Sequence, residues 1–169
     1  MAIVDIVKYP DPVLREISQK IGDNREGLEA LVRDMTDTMY AYNGAGLAAI
    51  QIGVPKSVFI VEAEAAGRAP TDPPLVFIDP TITWLSEEKQ QGDEGCLSFP
   101  GVFVPIERSM RCRTKATTLA GEAFEAEGEG LFARAMQHEY DHLNGRLLAD
   151  FVGRIKRRLI ERKLARSAH

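Results

Sequence analysis

Apolar residues recur at three- and four-residue steps between about Asn24 and Tyr42, where Leu28, Leu31, Val32, Met35, Met39 and Tyr42 form one stripe. Such spacing predicts an amphipathic helix. Asn43-Gly44 ends it, with glycine available for a left-handed cap. The same period returns over about Glu129–Leu143, closes again at Asn144-Gly145, and is followed by a last helix, roughly 154–166, studded with Arg and Lys. Between these helices the period changes to two. Residues 57–63 (SVFIVEA) are short and β-branched, which reads as a strand. Residues 75–80 (LVFIDP) and 81–88 (TITWLSEE) read as further strands, broken at Pro80. In the stretch 108–119, Met110, Cys112, Thr114 and Ala116 face one way and Arg111, Arg113, Lys115 and Thr117 the other, a half-buried strand. Gly121 then turns the chain into another short strand. Residues 62–74 have no apolar period and read as an exposed loop. Tyr9–Glu16, with two prolines around Asp11, reads as a turn or extended segment. Antiparallel strands in the middle with helices at both ends predict an α+β fold.

Composition narrows the class without choosing a function. At 169 residues the chain is expected to form one domain, with 151–169 as its basic C-terminal helix and tail. A hydrophobic share of 44%, a charged share of 27% and a net charge of −4 suit a soluble globular protein and argue against an extended nucleic-acid surface. Two cysteines, Cys96 and Cys112, are too few for a disulfide scaffold and imply reduced thiols in a cytosol-like compartment. Asp5 interrupts the N-terminus early, so no signal peptide is read there, and no stretch reaches the roughly 20 apolar residues of a membrane span. A cytoplasmic location without membrane contact is expected.

The chemistry gathers in QHEYDHLNG, residues 137–145, which holds two of the three histidines. On a helix, the spacing H-E-x-x-H puts His138 and His142 one turn apart on one face, able to grip one ion, with Glu139 beside them as a base for water. A catalytic site of this kind wants a third protein ligand and an open fourth position. A third histidine three residues past Gly145 is ruled out, because that position is Leu148 and His169 is the chain's last residue. Glu161 lies nineteen residues past His142, but in a run of Arg and Lys where it also reads as a helix charge paired with Arg157 or Lys163. Of the thiols, Cys96 lies in the Gly-flanked segment 92–101 (GDEGCLSFPG) and is the better ligand, while Cys112 reads as a core residue.

Taken together, GAGLAAIQ (44–51), EGCLS (94–98), QHEYDHLNG (137–145) and the opening YPDPVLR resemble the peptide deformylases over nearly the whole chain. The resemblance implies small antiparallel β-sheets packed around a central HExxH helix. It implies hydrolysis of the formyl group from the formyl-methionyl end of nascent polypeptides, with release of formate. It also implies a metal held by Cys96, His138 and His142, natively Fe(II), with zinc, nickel or cobalt able to replace it. Glu139 is then the proton carrier. Gln51 and the backbone N–H of Leu97 are the donors for the developing oxyanion. The family is mostly monomeric.

In that frame Gly44, Ala45, Gly46 and Gly95 would let an extended peptide lie against backbone. Leu131 and Ala135, on the same helix face as His138, would wall a slot for the methionine side chain. Arg134 is read either as the rim of that slot or as a solvated charge. Asp141 is read as orienting a histidine, pairing with an arginine such as Arg108, or lying free at the surface. Position 50 is Ile where the family more often has Pro or Thr, which would tilt the loop before Gln51. The basic last helix suggests contact with ribosomal RNA or a solvated tail.

Overall fold

The computed structural model of the chain describes residues 2–167. Three helices, α1 (Leu28–Ala41), α2 (Leu131–Leu143) and α3 (Arg154–Ser167), accompany seven strands. These are β1 (Gly46–Ala48), β2 (Val58–Val61), β3 (Leu75–Leu85), β4 (Lys89–Cys96), β5 (Phe99–Ser109), β6 (Arg111–Thr117) and β7 (Ala123–Glu129). They form a five-stranded sheet, β1-β2-β3-β6-β7, and a two-stranded sheet, β4-β5, all antiparallel. The architecture is α+β, as the pattern predicts.

β2 shows why the helices sit where they do. All four of its residues are buried. Val58 and Ile60 pack with Leu28, Val32, Met35 and Met39 of α1. Phe59 and Val61, on the opposite face, pack with Ala133 and Met136 of α2. A period of two thus buries both faces of the sheet, one under each helix. Each such side chain contributes about 1.5–3 kcal/mol by leaving water. A third cluster unites Leu14, Phe99, Val104 and Ile106 with Ile160 and Leu164 of α3.

Some boundaries differ from the sequence reading, each for a local reason. α1 starts at Leu28 rather than near Asn24, because Gly27 takes φ +75° at its N-cap. The predicted break at Pro80 is a register shift between Ile78 and Thr81 inside one strand, β3, with Asp79 at φ +50°. Proline has no N–H to give the ladder, and a bulge absorbs the lost bond. The single alternating run 108–119 is divided between two sheets: Ser109 pairs with Lys89 in the smaller, Arg111 with Glu129 in the larger. Alternation continues across the junction, so the period alone does not mark it. Segment 92–101, read as a connection between strands, belongs largely to the β4-β5 hairpin.

The exit of α2 is fixed by a glycine. Gly145 has φ +72°, and a Cβ there would stand 2.5 Å from the Arg15 carbonyl oxygen. The N-terminal segment is thereby pressed against the helix end, and Ser18 N–H donates to the Leu143 carbonyl at 3.0 Å. No described helix is long and apolar enough to cross a membrane.

Candidate metal centre

α2 runs between the sheets. Ala133 and Met136 meet the five-stranded sheet, and the one-turn spacing of His138 and His142 turns both rings toward the β4-β5 turn, where Cys96 ends β4. Cys96 Sγ lies 3.4 Å from His142 Nε2. The two rings stand edge to face with centroids 4.9 Å apart. One ligand atom from each of the three residues lies within 4.8 Å of the others, the one such grouping of ion-binding side chains among the described residues.

What holds the histidines is less visible in the sequence. His138 Nδ1–H donates to Glu94 Oε1 at 2.9 Å, which leaves Nε2 for an ion. Glu94 also accepts both arms of Arg108, at 2.7 and 2.8 Å, and Arg134 Nη1 at 2.6 Å. Arg108 in turn donates to Asp141 at 2.6 Å. Two buried guanidiniums and two carboxylates therefore cancel, and no charge is left unpaired. Burial opposes the charge of Glu94, but hydrogen bonds from Arg108 and His138 outweigh it and hold the carboxyl down at about 2. Arg134, read from sequence as a slot rim or a solvated charge, is buried in this network. Asp141 pairs with Arg108, one of the partners expected for it.

The other predicted residues converge on a cleft of about 590 Å³ whose lining includes Gly44, Ala45, Gly46, Gly95, Leu131 and Ala135. Cys96, Leu97, His138, Glu139 and Gln51 line it too. Gln51 is fixed at both ends. Its Oε1 accepts the Ala48 N–H at 3.0 Å, while Nε2 points toward Cys96 Sγ at 3.3 Å and Ser98 Oγ at 3.1 Å. Ile50 is fully buried in the core beside Phe59 and Phe77, and the short turn Ala49–Ile52 carries Gln51 into the site. The glycines serve a purpose the sequence did not suggest. A Cβ on Gly46 would lie 2.7 Å from Glu139 Oε2, and one on Gly95 would lie 2.8 Å from the Phe103 ring.

The buried groups of the site perturb one another strongly. Burial pushes the Glu139 carboxyl up to about 7, and Glu139 Oε1 has no hydrogen-bond partner among the described residues. At His138, burial works against charge, yet hydrogen bonds to Cys96 and Glu94 and the nearby Glu139 prevail and raise its pKa well above the ordinary value. Burial and the positive His138 push His142 well below it. The case for a cation is geometric: one sulfur and two ring nitrogens with their donor atoms within 4.8 Å of one another. A thiolate with two imidazoles is a donor set for a divalent transition cation, and the cleft leaves one side of it accessible. The residues fit such an ion.

The remaining candidates lie elsewhere. Glu161 Oε2 accepts the Tyr9 hydroxyl at 2.9 Å and lies outside the grouping of ion-binding side chains. Leu148 is in the core under α3. His169 lies outside the described residues. Cys112 is fully buried, and burial pushes its thiol up to about 11. Sequence reasoning missed Glu94, Ser98 and Tyr9. The first two stand inside EGCLS, and the available signal for Glu94 is its place two residues before the candidate ligand Cys96, on the same face of the strand.

The chain matches the family model described as polypeptide deformylase over residues 3–158. It is 41% identical to a peptide deformylase of Bartonella tribocorum over 168 residues, 99% of this chain and 94% of the relative. Among solved structures, it resembles a peptide deformylase from Legionella pneumophila, with a TM-score of 0.91 and 36% identity over 99% of this chain and 96% of the other. It also resembles the Ehrlichia chaffeensis peptide deformylase in complex with actinonin, with a TM-score of 0.91 and 34% identity over 99% and 98%.

Proposed function

From its membership of the polypeptide deformylase family, which makes the chain a metal-dependent hydrolase that removes the N-terminal formyl group from nascent polypeptides, we propose which of its residues carry that reaction. Cys96, His138 and His142 hold the metal, and the single observation that carries this assignment is the convergence of their donor atoms within 4.8 Å. A cation held by these three residues would supply Lewis acidity, lowering the pKa of a water toward about 7 and polarising the formyl group.

Glu139 takes the proton of the attacking water and passes it to the departing amine. Burial raises the Glu139 carboxyl, which favours its taking up and giving back a proton. Gln51 Nε2 and the Leu97 N–H donate to the oxygen as negative charge grows on it. Gln51 is preorganised for this, because the Ala48 N–H already holds its amide oxygen. Gly44, Ala45, Gly46 and Gly95 offer backbone to an extended peptide, indifferent to its side chains. Leu131 and Ala135 border the methionine side chain. Leu131 is 61% exposed, so it stands at the mouth of the slot rather than its depth.

We assign Fe(II) as the native ion, with zinc, nickel or cobalt able to replace it, and read the protein as a cytoplasmic monomer. Residues 1–169 form one domain, since α3 shares its apolar cluster with β5 and the N-terminal segment. The basic outer face of α3 is the side available to the ribosome. The decisive experiment measures formate release from a formyl-methionyl peptide by anaerobically purified protein, together with metal content. Glu139→Gln should lose about 10²- to 10⁴-fold in turnover while keeping its ion. Cys96→Ser should lose the ion. Full turnover in the first variant, or a retained ion in the second, would overturn the assignment.

A further inference from the structure

On another face of α2, a second concavity of about 420 Å³ is lined by Trp84 and Leu85 of β3, Tyr140 of α2, Arg108, Gln137, Arg146 and the carboxylate of Asp141, which Arg108 neutralises at 2.6 Å. Nothing in the deformylase reaction uses it. Gln137 is fully committed, accepting the Ser109 N–H and donating to the Ser109 and Ala133 carbonyls. The two arginines are not. A guanidinium has five N–H groups, and Arg108 spends three, on Glu94 and Asp141. The Arg146 side chain has no hydrogen-bond acceptor among the described residues and lies over the Phe151 ring, 5.0 Å from its centroid. Arg108 lies over the same ring at the same distance, so the two cations are gathered on one phenyl group. Within the network, Glu94 and Asp141 are matched by Arg108 and Arg134. Arg146 is therefore surplus positive charge at the mouth of a pocket with aromatic walls. Arg113, over Trp84, is already paired with Glu127.

We propose that this cavity binds a small organic anion. Its carboxylate lies between Arg146 and the unspent N–H groups of Arg108, and its flat apolar body lies against Trp84, Leu85 and Tyr140. The occupant would pull on Arg108, whose other edge grips Glu94 and, through it, His138. Binding here therefore changes how tightly the metal centre holds its ion. That second half rests on the reading of His138 as a ligand; the binding half does not.

Trp84 is the chain's one tryptophan, so its fluorescence reports the cavity directly. Nickel-loaded protein titrated with benzoate should show a saturable change with a midpoint on the order of millimolar. Arg146→Gln should weaken binding by about tenfold or more, the size of one charge-assisted hydrogen bond. Neutral benzamide should bind far less well than benzoate. A linear response, an unchanged midpoint in the variant, or equal binding of benzamide would each overturn the site. Saturating benzoate should also alter the rate of nickel release to a chelator in the parent protein and not in Arg146→Gln. An identical rate with and without benzoate would overturn the coupling. Formate release by Arg146→Gln should match the parent, which separates a failure here from a failure of the deformylase assignment.

Discussion

Gly46 determines where the carboxylate of Glu139 rests. The 2.7 Å approach of Glu139 Oε2 to the site of a missing Cβ leaves no room for a methyl group. Gly46→Ala should displace that carboxylate by a fraction of an ångström to an ångström, and misplacement on that scale costs up to about 10²-fold in rate. Formate release should fall while metal content, measured by elemental analysis, stays at the parent level; equal turnover would show that Glu139 has slack. The sequence revealed the glycine and the glutamate but not their contact. Gly46 and Glu139 are far apart along the chain, and neither period nor motif says which backbone atom a distant side chain will crowd. The H-E-x-x-H spacing was readable for the opposite reason: four residues on a helix fix a direction by themselves.

At the scale of elements, the β4-β5 hairpin is stapled to α2 by Glu94. This acid lies on the hairpin, Arg134 on the helix, and Arg108 bridges to Asp141 two turns further on. Glu94→Gln would leave two guanidiniums short of a counter-charge in a buried place. A loss of about 3–5 kcal/mol in unfolding free energy is expected, read by urea denaturation. The affinity for nickel, read by chelator competition, should fall about 10- to 100-fold as His138 loses its orienting partner. A variant of parental stability would mean that water replaces the carboxylate. Helices and most strands were legible because their faces are apolar against polar. Their partners were not. β5 and β6 share one alternating run yet belong to different sheets, and the acid–arginine network joins residues 14 to 40 positions apart, where sequence carries no ruler.

For the whole molecule, the two ends of the chain are drawn together. Asp150 receives Arg15 at 2.6 Å and Arg157 at 3.1 Å and accepts the Leu147 N–H at 2.9 Å. Burial opposes its charge, but the Arg15 hydrogen bond, the Leu147 N–H and the nearby guanidiniums hold the carboxyl below its ordinary value. A depressed carboxylate stabilises the fold above its unfolded-state pKa of about 3.9, and that contribution disappears as pH falls through the folded-state value. Asp150→Asn should therefore lower stability by about 1 kcal/mol near pH 7, since the groups are partly exposed. The difference from the parent should close as pH falls toward about 3, in urea titrations at both pH values. A gap that persists in acid would assign the effect to packing.

The pairing of Tyr9 with Glu161, 152 residues away, ties α3 to the wall of the cleft. The Phe99 ring, which lines that cleft opposite Cys96 in the hairpin, is stacked on Tyr9 at 4.7 Å and shares an apolar cluster with Ile160 and Leu164 of α3. Loosening α3 would bare that ring to water and slacken the turn that carries the sulfur.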